Sequence, residues 1–120
     1  MPRNDDPTIS DDAVLLHAVY KHQILKGPDG VERPQSQAFR WDDDKEVSAF
    51  IQGETDLDLV VKAFPSSRIC CFTAGDARSL GYTIHRDPTE GFKSHVVMCH
   101  GDQLPRKAEK QLALLARLIT

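Results

Sequence analysis

Four consecutive apolar residues, Ile69-Cys70-Cys71-Phe72, constrain this chain more than any other feature. In an extended strand they alternate between two faces, so both faces need cover. Arg68–Thr73 is therefore expected as a central, doubly covered strand. Ser94–Cys99, built on Val96-Val97-Met98, is a second strand, and Tyr82–His85 a third. Glu46–Ile51 is a fourth, with Val47, Ala49 and Ile51 alternating as in a half-buried strand. Each segment is short and punctuated by Gly or Pro. A chain of 120 residues is one domain's worth, able to bury roughly two-thirds of its unfolded surface without metal or disulfide.

Between the strands, helical spacing recurs. Leu57, Val60, Val61 and Phe64 follow the i, i+3, i+4, i+7 rule, with Thr55 as N-cap of a helix over Asp56–Phe64. Ala74–Leu80 is a short helix closed by Gly81 at the C′ position. The last helix has Asp102 as cap and Pro105 in its first turn. It places Ala108, Leu112, Leu115 and Ile119 on one stripe, widened by Leu114 and Leu118. Ser10 or Asp11 can cap a further helix over Asp12–Ala18, with Val14, Leu15 and Ala18 on its apolar side. Tyr20–Lys26 reads as extended, Gly27-Pro28-Asp29-Gly30 as a turn, and Arg33–Phe39 as an irregular or edge segment because proline removes a ladder donor. The sum is an α+β domain at 11–120. It has a small mixed, mostly antiparallel sheet of four or five strands, three or four helices, and the C-terminal helix packed on the sheet. Residues 1–10 form a flexible acidic lead-in.

Charge narrows the function classes. Residues 1–60 hold 6 basic and 13 acidic side chains, and residues 61–120 hold 9 and 5. The overall charge of −3 argues against a general nucleic-acid binder. Arg106, Lys107, Lys110 and Arg117 still give the last helix a basic surface for nucleic acid or an acidic partner. No apolar run approaches the roughly 18 residues of a membrane span, and the polar start Met1-Pro2-Arg3-Asn4-Asp5-Asp6 is unlike a secretory signal. Three cysteines among apolar neighbours read as free buried thiols of a reducing, cytoplasmic compartment.

His95 opens an apolar strand, where an imidazole can face a cleft and exchange protons near neutral pH. It shares a face with Cys99, while His100 points the other way. Zinc would need two further ligands, such as His85 or Cys70, and no CxxC or HExxH spacing supplies them. His95 and Cys99 lie roughly 13 Å apart on an extended strand, too far for a direct thiol–imidazole dyad. Arg33 can grip a phosphate or carboxylate, Ser36 adds a hydroxyl, and Phe39 anchors that segment. Asp42, Asp43, Asp44 and Glu46 lack the offsets and glycine of a calcium loop and read as a solvated polar loop. Thr73-Ala74-Gly75-Asp76 is a strand-to-helix junction with Asp76 as cap, not a phosphate loop. No metal or cofactor is expected.

Asp12-Ala13-Val14-Leu15-Leu16, Arg33-Pro34-x-Ser36-x-x-Phe39, Phe72-Thr73-Ala74-Gly75 with Arg78-x-Leu80-Gly81, and Ser94-His95-Val96-Val97 together resemble a group of short uncharacterised bacterial proteins with no established activity. That resemblance implies a bacterial, cytosolic setting and no catalytic residues. A weaker likeness is to small NAD-consuming toxin domains, through the early polar residues His17, Arg33 and Ser48, without their late strand glutamate. Two functional expectations follow. One is a non-enzymatic protein-interaction or regulatory subunit of a bacterial accessory system. The alternative is a small enzyme or nucleotide-binding domain with Arg33, Ser36 and His95 in one cleft, where His95 and Ser36 are the catalytic candidates. Arg33, Ser36, Phe39 and His95 are the candidate binding residues.

Overall fold

The computed structural model describes residues 5–40, 46–101 and 105–120. Its strands are β1 (Val14–Tyr20), β2 (Ile24–Lys26), β3 (Glu32–Pro34), β4 (Glu46–Ile51), β5 (Ser67–Thr73), β6 (Tyr82–Arg86), β7 (His95–His100) and β8 (Arg117–Leu118). Its helices are α1 (Leu57–Ala63), α2 (Ala74–Ser79) and α3 (Arg106–Leu115), with short 3-10 turns at Lys21–Gln23, Ser36–Phe39 and Gln52–Glu54. A six-stranded sheet runs β6-β7-β4-β1-β5-β8, and β2 pairs with β3 as a separate ribbon. Every strand pairing is antiparallel. The α+β class holds, with a wider sheet than the four or five strands expected.

Two strands of this sheet, β1 and β8, were not expected, and β1 stands where a helix over Asp12–Ala18 was expected. Val14, Leu16 and Ala18 turn to one core while Leu15 and Val19 turn to the other. A strand covered on both faces loses its polar alternation, so its apolar positions fit a helix period equally well. Seven register pairs to β5, from Val14↔Thr73 to Tyr20↔Ser67, decide the outcome. Ser10 accepts a hydrogen bond from the Asp12 amide, but in a turn before the strand.

Ile69-Cys70-Cys71-Phe72 is doubly covered as expected, yet β5 lies next to the sheet edge, between β1 and β8. Cys70 and Phe72 join one core with α2, α3 and the Ser36–Phe39 turn, whereas Ile69 and Cys71 join the other beneath Val60 of α1. The final helix is shorter than its leucine stripe implied. It ends at Leu115, Ala116 turns extended, and Leu118 on β8 pairs with Cys70 of β5. Leu114 and Leu115 are consequently exposed. Asp56, not Thr55, caps α1. At α2 the cap is Thr73, and Asp76 returns the bond as the third helical residue in a reciprocal capping box. Asp102 and the polar loop expected at 41–45 lie outside the described residues.

The described part of the acidic lead-in is docked. Arg78 on α2 binds the carboxylates of Asp5 and Asp11 and the Asp6 carbonyl, and Ile9 is buried in the core. The Asp6 amide donates to the Ile84 carbonyl, so this segment shields the β6 edge of the sheet. No helix among the described residues is long and apolar enough to cross a membrane.

Candidate functional site

The candidate residues fall into separate places. Phe39 is core: it is 1% exposed, stacks on His17 at 5.1 Å and meets Phe72 edge-on at 5.7 Å. Ser36 begins the 3-10 turn just before it. Arg33, on β3, is engaged by Asp29 at 2.9 Å. His95 begins β7, near the opposite side of the sheet. Its Nδ1 lies 2.7 Å from the Asp87 carbonyl, and its ring meets Phe50 edge-on. The ribbon carrying Arg33 packs on β8, four strands from β7. At roughly 4.8 Å per strand this separates Arg33 from His95 by about 19 Å. That separation does not bring Arg33 and His95 into one cleft of ordinary size among the described residues.

The thiols are equally dispersed. Burial pushes the Cys70 thiol up to about 12, which removes it as a nucleophile near neutral pH. Cys99 shares the His95 face, and His100 turns the other way to Tyr82 and the Leu80 carbonyl. Among the described residues no three His, Cys, Asp or Glu side chains converge to hold a metal.

Two surface features do gather residues. The first is an apolar groove between the β2–β3 ribbon and α3. Leu25, Pro34, Ala113 and Leu114 line about 200 Å³, with Gly27, Arg33 and Gln35. The local sequence explains it. In the ribbon Ile24 turns inward, so Leu25 turns out. On α3, Leu112 faces the core, and a step of two residues rotates Leu114 by about 200° to the far side. Leu25 is 62% and Leu114 72% exposed, and Val31 and Leu115 are also exposed.

The second is a notch within the main sheet. β1 pairs with β5 along its whole length but with β4 only at Leu15↔Ile51 and Leu16↔Phe50. Beyond Leu16 the two strands part, and the His17 ring stands in the gap. Its Nδ1 lies 2.7 Å from the Ser48 carbonyl, and its Nε2 meets the Ala38 carbonyl. A neutral imidazole has a single N–H for these two acceptors. Burial holds the His17 pKa below its ordinary value, and the two carbonyls oppose that shift. One mouth of the notch opens a cavity of about 460 Å³, lined by His17, Tyr20, His22, Gln23, Gln37 and Arg40 with two alanines. The other, about 140 Å³, is bordered by Ser48, Phe50, Phe64 and Ser67.

Neither feature was assembled by sequence reasoning. His17 and Ser48 attracted notice only through the toxin likeness, and the structure does bring that pair together, without Arg33. The available signal was a polar residue alternating with Leu15 and Val19 on an apolar strand face, masked by the helical reading of this segment. The basic side chains Arg106, Lys107 and Lys110 are exposed on α3, with buried Glu109 between them. Comparison of the chain with known family models, with curated proteins and with solved structures finds no match.

Proposed function

We propose that this protein is a non-catalytic interaction module that docks a partner protein through the groove between the β2–β3 ribbon and α3. The observation that carries the reading is the exposed apolar patch of Leu25 and Leu114 around that groove. Contiguous apolar surface is costly to leave in water, and apolar side chains grouped around a concavity mark association sites. The partner supplies an apolar side chain for the groove. The dispersal of His95, Ser36, Arg33 and the thiols supports a binding role over a catalytic one. A cytosolic bacterial setting fits the free, buried Cys70 and Cys71.

Site-specific photo-crosslinking in the source cells tests this. A benzophenone amino acid replaces Leu114 in one variant and Lys62, on α1, in another. The reading expects one protein species cross-linked from position 114, absent from position 62, and lost when Leu25→Asp is added. Identical products from both positions, no product from 114, or a product containing only a second copy of this chain would each overturn it.

A further inference from the structure

We propose that the larger mouth of the β1–β4 notch is a binding site for a small aromatic phosphate of nucleoside monophosphate size. It shares no lining residue with the apolar groove and stands independently of the docking role. The first observation is shape. About 460 Å³ lies within the roughly 300–1,000 Å³ typical of small-molecule sites, and it exists because the β1–β4 ladder stops after two pairs.

The second observation is charge. Among the described residues the lining includes Arg40, His22 and His17 and no carboxylate. Arg33, Arg68, Arg78 and Arg86 are each paired with Asp or Glu. Arg40 is exposed and forms no ion pair among the described residues. The buried carboxyl of Glu109 feels its charge only at longer range. A guanidinium with its donors unspent matches two phosphate oxygens in bidentate fashion. His17 lines the same cavity, with its ring held against the Ser48 and Ala38 carbonyls.

The third observation is an aromatic platform. The rings of Tyr20 and His22 stack at 5.8 Å and 8°, and Tyr20 remains 57% exposed at the rim. A flat, solvent-facing ring beside a cation is the arrangement that holds a nucleobase by stacking while its phosphate is gripped. Gln23 fixes the platform: its Oε1 accepts from the Tyr20 amide at 3.0 Å, and its Nε2 donates to the Gln37 carbonyl. The Gln37 side chain lies at the surface beside them.

Titration of the full chain with adenosine monophosphate, followed by amide chemical shifts, tests the assignment. Saturable binding with a Kd of about 0.1–1 mM is expected, with adenosine and inorganic phosphate each at least tenfold weaker. Arg40→Ala and Tyr20→Ala weaken it at least fivefold, Tyr20→Phe retains it, and Arg117→Ala on β8 leaves it unchanged. The dispersion of each variant's spectrum confirms folding, and Arg40→Gln and Tyr20→Leu replace any variant that fails. No saturation up to about 10 mM, or binding indifferent to Arg40 and Tyr20, overturns the proposal. So does a short single-stranded RNA that binds through these residues when the mononucleotide does not.

Discussion

Gly81 closes α2 with φ +97°, and a Cβ there would lie 2.8 Å from His100 Nε2. Gly81→Ala therefore meets two separable penalties. The left-handed backbone costs an L-residue about 1–2 kcal/mol. The His100 ring must also move, loosening its bond to the Leu80 carbonyl and its edge contact with Tyr82; a neutral hydrogen bond of this kind is worth about 0.5–1.5 kcal/mol. Against these, alanine narrows the unfolded ensemble by roughly 0.4–1 kcal/mol. The net expectation is a loss of about 1–3 kcal/mol in urea denaturation, with a Tm lowered by several degrees. A double-mutant cycle separates the terms. In a His100→Ala background the steric part vanishes and the backbone part remains, leaving Gly81→Ala costing about 1 kcal/mol there. Gly53 is the control: no atom lies within 4 Å of its added Cβ and its φ is not positive, so Gly53→Ala is neutral or slightly stabilising. A Gly81→Ala variant as stable as the parent, or one no less harmful in the His100→Ala background, would refute the reasoning.

Leu112 is fully buried under the sheet, and Leu112→Ala should cost about 2–5 kcal/mol through lost burial and a residual cavity, read by chemical denaturation. Arg78→Ala removes the three bonds that hold residues 5–11 against α2; discounted for partial exposure, the loss is about 1–2 kcal/mol, with faster hydrogen exchange at the Asp6 amide. His17 contributes a pH dependence with a defined sign. Its folded pKa lies below the 6.5 of a free histidine, so the unfolded chain binds the proton more tightly. Stability is complete above that value and falls as pH drops through it toward the folded pKa, at no more than about 1.4 kcal/mol per pH unit from this group. Thermal melts of wild type against His17→Gln across this window measure the difference; a parallel pH profile for both proteins would exclude the linkage.

Local physics specified much of the architecture. The apolar runs at 69–72 and 96–98, the alternation at Val47, Ala49 and Ile51, and the glycine after α2 each had one conformation that satisfied them. Their observed structure agrees because burial, turn chemistry and propensity point the same way. Val14–Tyr20 had two solutions. Its residues bury on both sides, so periodicity carried no preference, and only the ladder to β5 chose strand over helix. Likewise the leucines at 112, 114, 115 and 118 suggested one long helical stripe, and pairing with β5 drew Leu118 into a strand.

The sites divide along the same line. The chemical character of His95, Arg33 and Ser36 was readable, but their separation depends on strand order, which no local spacing encodes. The notch depends on where β1 leaves β4, a consequence of how two strands pack against different neighbours. The amino-acid sequence by itself determined an α+β chain with Cys70 and Cys71 buried, its main turns and most of its core, whereas Cys99, expected to be buried as well, is only half-buried. The tertiary structure alone decided that His17 bridges a split sheet, that Arg40 and Tyr20 line one cavity, and that Leu25 and Leu114 line one groove, because contacts between residues distant in sequence are set by the packing of whole elements.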